Sequence, residues 1–203
     1  MKIGFIGAGN LARALGELLV AGGHSVAFGG RGGEDRPAHD VGSLAHATQA
    51  DLVVLALPFS AAREVLPGLS GLLAGKLVVD ATNPVNPDWS PMLLGQENSA
   101  GEEVARALPG AQVVKAFNTV FADAMREDRL VRAGARATCF IASDHPDARG
   151  RVAEVARSAG FAPLEVGPLA VSRHLEAMAH LNIQIAVGMQ GGTHGAFIYQ
   201  RAD

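Results

Sequence analysis

Short apolar runs alternate along this chain with stretches whose apolar residues recur every three or four positions. The runs 24–28, 51–57, 76–80, 112–117, 138–142 and 162–166, with Lys2–Ile6 at the start, predict seven strands. Asp51-Leu52-Val53-Val54-Leu55-Ala56-Leu57 shows no polar alternation, as expected of a parallel strand covered on both faces. Between the runs, 11–21 reads as a helix closed by Gly22-Gly23. A short helix is predicted within 37–50, and one over 60–73 with a break at Pro67-Gly68. Another starts at Ser99, where Glu102 three residues on suggests a capping box. His145-Pro146 opens a further helix that Gly160 closes. Strands alternating with helices predict an α/β protein with a doubly wound parallel Rossmann sheet. Residues 173–190 differ, being apolar almost all round a long helix, which predicts burial on several sides, over the sheet or between subunits. A last strand is expected at 195–199. The chain divides into a nucleotide-binding domain, 1–167, and a small C-terminal helical extension, 168–203, expected to supply an acceptor pocket and a dimer contact.

The first strand runs straight into Gly7-Ala8-Gly9-Asn10-Leu11-Ala12 and then a helix. Gly7 permits a tight turn, Gly9 lets a pyrophosphate approach the backbone, and Ala12 is small enough for close packing of helix on strand. Free N–H groups and the helix dipole at that start favour phosphate. A NAD-specific site places an acidic residue at the end of the second strand. Here the strand is followed by Gly29-Gly30-Arg31-Gly32-Gly33, and the guanidinium of Arg31 suits a 2′-phosphate rather than a hydroxyl. NADP is therefore predicted. Ligands of such sheets bind beyond the C-terminal strand ends. Gly30-Arg31, Ala56-Leu57-Pro58, Asn83-Pro84 and Asn118-Thr119 all sit there.

Charge and composition narrow the partners. The 203 residues carry a net charge of −3, with no basic stripe, which excludes a general nucleic-acid binder. No apolar run reaches the roughly 18 residues a membrane span needs, and the N-terminus reads as a structural strand rather than a signal. Cys139 is the single cysteine, so no intrachain disulfide forms and a cytoplasmic setting is expected. The histidines (24, 39, 46, 145, 174, 180, 194) have no metal-ligand spacing, and no metal is expected. His180, on the apolar helix, reads as a packed histidine. Lys115 reads as structural, near the start of its strand. Asn118 is the better polar candidate, able to hydrogen-bond a carboxamide or a ring carbonyl.

Several stretches occur in a telling order: the glycine turn, the Gly-Gly-Arg loop, Asp80-Ala81-Thr82-Asn83-Pro84, Val114-Lys115-Ala116-Phe117-Asn118-Thr119, Gly167-Pro168-Leu169 and Leu175-Glu176…His180-Leu181-Asn182. In that order they resemble the NADPH-dependent reductases of the deazaflavin coenzyme F-420. The stretch from Lys115 to Thr119 is also similar to the oxidoreductase domain of the STEAP metalloreductases, where NADPH reduces a flavin. The resemblance implies that Gly7, Gly9, Asn10 and Leu11 hold the pyrophosphate and that Gly30 and Arg31 hold the 2′-phosphate. It implies that Ala56, Leu57, Pro58, Asn83 and Pro84 line the ribose and nicotinamide. Asn118, Thr119, Leu169 and Ala177 would border the acceptor pocket.

Such chemistry needs little from protein acids and bases, since the cofactors carry it, and no catalytic side chain is singled out. The function expected is hydride transfer between NADP(H) and a deazaflavin or flavin acceptor, coenzyme F-420 or FAD/FMN as co-substrate, in a homodimer. Two alternatives stay open: reduction of a small carbonyl or imine, and a non-catalytic NADP(H)-binding sensor.

Overall fold

The computed structural model describes residues 1–30 and 41–201. Among the described residues ten strands and seven α-helices follow one another: β1 (Lys2–Ile6), α1 (Asn10–Ala21), β2 (Ser25–Gly29), β3 (Val41–Gly42), α2 (Leu44–Ala47), β4 (Leu52–Leu55), α3 (Phe59–Leu73), β5 (Leu77–Asp80), α4 (Ala100–Ala107), β6 (Gln112–Lys115), α5 (Glu127–Leu130), β7 (Val131–Arg132), β8 (Ala135–Arg136), β9 (Thr138–Ala142), α6 (Pro146–Ser158), β10 (Ala162–Gly167) and α7 (Ser172–Ile183). The central sheet has the order β10-β9-β6-β5-β4-β1-β2-β3. Strands β4, β5 and β9 are buried along their whole length, matching their mainly apolar sequences, with Asp80 and Thr138 as buried polar ends. One core layer packs α1 and α6 on one face of the sheet, through residues such as Leu15, Leu19, Val152 and Ala156. The other packs α3 and α4 on the opposite face, through Phe59, Leu66, Leu73 and Val104. This is the expected doubly wound α/β arrangement, with a C-terminal helix added.

Four local expectations are corrected. The sheet reverses once: β9 meets β6 antiparallel, with Lys115 opposite Ala142. A parallel crossover needs a connection long enough to traverse the sheet. Between β6 and β9 lie a 3-10 turn at Ala122–Ala124, the four-residue α5 and the β7–β8 hairpin, none of them a helix long enough to recross the sheet, and the chain re-enters from the edge it left by. Pro67 does not break α3, because it lies on the exposed side. Burial of Phe59, Ala62, Leu66, Leu69 and Leu73 along the other side holds the helix together across it. The long C-terminal helix is α-helical only to Ile183 and continues as a π-helix over Gln184–Gly188. Its apolar residues divide: Leu175, Ala179, Ile183 and Ala186 are buried, whereas Leu181, Ile185, Val187 and Met189 are exposed. Finally, 195–199 forms no strand. It runs along β9, taking the Thr138 N–H on the Phe197 carbonyl and giving the Tyr199 N–H to Thr138 Oγ1.

Candidate functional site

The C-terminal ends of β1, β2, β4, β5 and β6 form one edge, and the two halves of the candidate site are built there in different ways. The first half is backbone. Gly7 leaves β1 at φ 111°, a left-handed conformation that suits glycine. A Cβ there would lie 2.2 Å from the Ala56 carbonyl oxygen, so the turn can sit against β4 only without a side chain. The Gly7 N–H is bonded to the Gly29 carbonyl at 2.8 Å, tying the turn to β2. At Gly9 the opposite holds: a Cβ would meet nothing within 4 Å, so the space above it is open. Gly9 is the N-cap of α1, and no side chain caps that helix or puts a negative charge in its first turn. An open, uncapped helix start with outward N–H groups fits a pyrophosphate. Asn10 is exposed and Leu11 half-buried beside it, with Ala12 fully buried against the core.

Helix α3 starts in the same way. Pro58 is its N-cap, with no side-chain cap and no acidic residue in the first turn. Ala56 is nearly buried, Leu57 half-buried and Pro58 exposed at this mouth. Gly30, at the end of β2, is pinned by its N–H to the Gly42 carbonyl at 3.1 Å. Arg31, expected on the 2′-phosphate, lies outside the described residues.

The second half is made of buried side chains. Asp80 and Lys115 are the last residues of β5 and β6. The Lys115 ammonium sits 2.9 Å from Asp80 Oδ2 and 2.8 Å from Glu176 Oε1 of α7, and donates to the Thr82 carbonyl at 2.7 Å. Burial alone would lower the lysine pKa, but the two carboxylates outweigh it and hold Lys115 above its ordinary value. Glu176 also receives the N–H groups of Ala100 and Gly101, at 2.9 and 3.0 Å, where α4 begins. Three charges thus fasten two strand ends, α4 and α7 to one another. Lys115 stands at the C-terminal end of its strand and not near the start, where the sequence had placed it.

Two residues past Lys115, Phe117 takes φ 63°, a conformation costly for a bulky side chain. Its ring is buried edge-on against Phe161 at 5.5 Å, which offsets the strain. The turn delivers Asn118 into a pair with Asn83: Asn83 Nδ2 donates to the Asn118 carbonyl at 2.8 Å, and Asn118 Nδ2 donates to Asn83 Oδ1 at 2.9 Å. Asn118 Nδ2 also donates to the Leu175 carbonyl of α7 at 3.1 Å. Among the described residues, Asn118 Oδ1 is buried without a partner, as is Thr82 Oγ1. Helix α7 is stitched down twice more. Asn182 Nδ2 donates to the Thr119 carbonyl at 3.1 Å, and His180 Nε2 to the Pro84 carbonyl at 3.0 Å. Glu102 of α4 grips Arg173 at the start of α7 with two hydrogen bonds, at 2.7 and 2.9 Å.

Asn83, Pro84, Asn118 and Thr119 therefore come together under α7. The other two residues expected there do not join them. Leu169 is buried in the core layer of α3 and α4, and Ala177 points outward from α7. In the sequence Asp80 and Glu176 stand out only as parts of motifs, and their union with Lys115 is visible only in the fold. A signal existed, since each is a lone charge within an apolar run, and buried charges demand partners. Cys139 is fully buried and its thiol is pushed up to about 12 by burial, which leaves it inert. Among the described residues no group of three or more His, Cys, Asp or Glu is placed to hold a metal, and no helix is long and apolar enough to cross a membrane.

The family described as NADP oxidoreductase, coenzyme F420-dependent, matches residues 2–84. Rat metalloreductase STEAP3 is 36% identical over 183 residues, which are 87% of this chain and 36% of that protein. The F420-dependent NADP reductase of Methanothermobacter thermautotrophicus is 32% identical over 148 residues, 70% of this chain and 62% of that one. The chain thus spans between about a third and two thirds of the length of these curated relatives. The crystal structure of a candidate F420-dependent NADP reductase from an Arthrobacter species superposes with a TM-score of 0.87 at 25% identity, covering 99% of this chain and 100% of that one.

Proposed function

We propose, for a chain that belongs over residues 2–84 to the coenzyme F420-dependent NADP oxidoreductase family, that it binds NADP(H) along this edge and passes hydride between it and a flavin or deazaflavin. The observation that carries the reading is the open space over Gly9 at an uncapped helix start, beside a Gly7 that tolerates no side chain. Gly7, Gly9, Asn10 and Leu11 hold the pyrophosphate through backbone N–H groups. Ala56, Leu57 and Pro58 line the ribose. Asn83 and Asn118 stand at the nicotinamide, where the unpaired Asn118 Oδ1 accepts from a carboxamide N–H. NADPH, when bound, supplies the hydride. The protein supplies orientation, and α7 screens the reacting end from water.

The test is to mix the protein with NADPH and either FMN or coenzyme F-420 and follow absorbance. Loss of the NADPH band together with bleaching of the acceptor is expected, and no turnover with either acceptor overturns the reading. The exposed Leu181, Ile185, Val187 and Met189 on the outer side of α7 and its π-helical extension favour a homodimer through that face. Sedimentation at micromolar concentration as a dimer is expected, and a monomer contradicts it.

A further inference from the structure

The cluster of Lys115, Asp80 and Glu176 does more than join strands to helices, because its charges do not cancel. Every carboxylate oxygen in it accepts from an N–H donor. Asp80 Oδ1 takes the Thr82 N–H at 2.9 Å and Oδ2 takes Lys115. Glu176 Oε2 takes the Ala100 N–H, and Oε1 takes the Gly101 N–H and Lys115. Among the described residues, the groups bonded to these oxygens are all donors, so two carboxylates face one ammonium and the formal charge of the cluster is −1. The start of α4 offsets part of it. The side chains are 0%, 0% and 4% exposed, so water screens the remainder little. Well-packed apolar residues would join the same elements as firmly or more so. A fold that buries an excess charge instead is holding it for its field.

The place of that field is specific. Lys115 Nζ touches the carbonyl of Thr82, the residue before Asn83. Glu176 follows Leu175, whose carbonyl receives Asn118 Nδ2. The charge is therefore linked to both asparagines within one residue of chain.

We propose that this buried negative charge makes the site favour the oxidised cofactor: it binds NADP⁺ more tightly, relative to NADPH, than a neutral site would. The inference rests on the reading that the nicotinamide lies at Asn83 and Asn118. A hydride carries its hydrogen and the bonding electron pair to the flavin-class acceptor and leaves one positive charge on the nicotinamide ring. A fixed negative charge behind that ring stabilises the product side, so the bound pair becomes the stronger hydride donor.

The experiment is calorimetric titration of the intact protein with NADP⁺ and with NADPH separately, at one ionic strength. Glu176→Gln and Asp80→Asn each keep the side-chain size, set one amide NH2 against an N–H donor, and raise the formal charge of the cluster from −1 to 0, from two different elements. The ratio Kd(NADP⁺)/Kd(NADPH) is expected to rise about threefold or more in each, and further in the double variant. A purely structural role weakens both ligands alike, and an unmoved ratio with both ligands bound overturns the proposal while leaving the proposed function standing. Failure of both single variants to fold also overturns it, since the cluster then serves stability alone. Binding of neither ligand by the unaltered protein removes the functional reading, and the proposal with it.

Discussion

On the proposed function, the two halves of the site hold the phosphate and nicotinamide ends of a dinucleotide, and they are built of opposite materials. The phosphate half uses glycines, an uncapped helix start and open space, and its side chains contribute little. The nicotinamide half uses buried charges and amides drawn from β5, β6, α4 and α7, with scarcely an open atom among them. Backbone N–H groups suit a ligand part whose charge never changes. Side chains in a dry interior suit the part whose charge does change, because only there does a field persist. The first half can lose a ligand and keep its shape. The second half is itself part of what keeps the fold closed.

That contrast is breakable. The largest effect is expected from Lys115→Met, which leaves two carboxylates buried without their cation. A loss of about 3–5 kcal/mol in denaturant unfolding is expected. A loss under about 1 kcal/mol would mean that charge does not hold the nicotinamide half together. The sign of the pH dependence follows from the same residue. Lys115 is held above its ordinary 10.5, so its contribution is complete below that value and drains away as pH rises through the raised one. Gly9→Ala sharpens the other side. The added methyl meets no protein atom, so stability should change by under about 1 kcal/mol. NADPH affinity should nevertheless fall at least about tenfold, about 1.4 kcal/mol, by titration calorimetry. The smallest effect is expected from Glu102→Gln. Its paired hydrogen bonds to Arg173 are partly exposed, and about 1 kcal/mol or less should be lost. Arg173 chiefly holds the Glu102 carboxyl below its ordinary 4.5. The contribution is therefore present above 4.5 and lost as pH falls through the lowered value. Thermal unfolding against pH should be flatter in the variant across that acidic window.

Legibility in the sequence follows the same line. All seven expected strands form, because each is a local apolar run between turn residues. The glycine turn was readable for the same reason, since its chemistry lies within six consecutive residues. What escaped was long-range. Lys115 and Asp80 are 35 residues apart, and Glu176 reaches back 75 and 76 residues to Gly101 and Ala100. Leu169 and Ala177 are expected at the pocket by their positions in the family resemblance; packing against α4 buries Leu169 in the core, and the rotation of α7 leaves Ala177 exposed. Pro67 shows local preference yielding to packing, since one missing N–H on the solvent side costs less than unburying the face of α3 opposite. The antiparallel entry of β9 was hidden because apolar runs carry no direction.

Glu176 sets a rule for anyone who would recombine this chain with its relatives. A chimaera that imported α7 alone would bring a carboxylate requiring Lys115 below it and two vacant N–H groups at the start of α4. A host lacking either would receive an orphan anion in its interior. Crossover points placed between the strands and this helix are therefore the ones to avoid, and drift at positions 80, 115 and 176 should be correlated rather than independent.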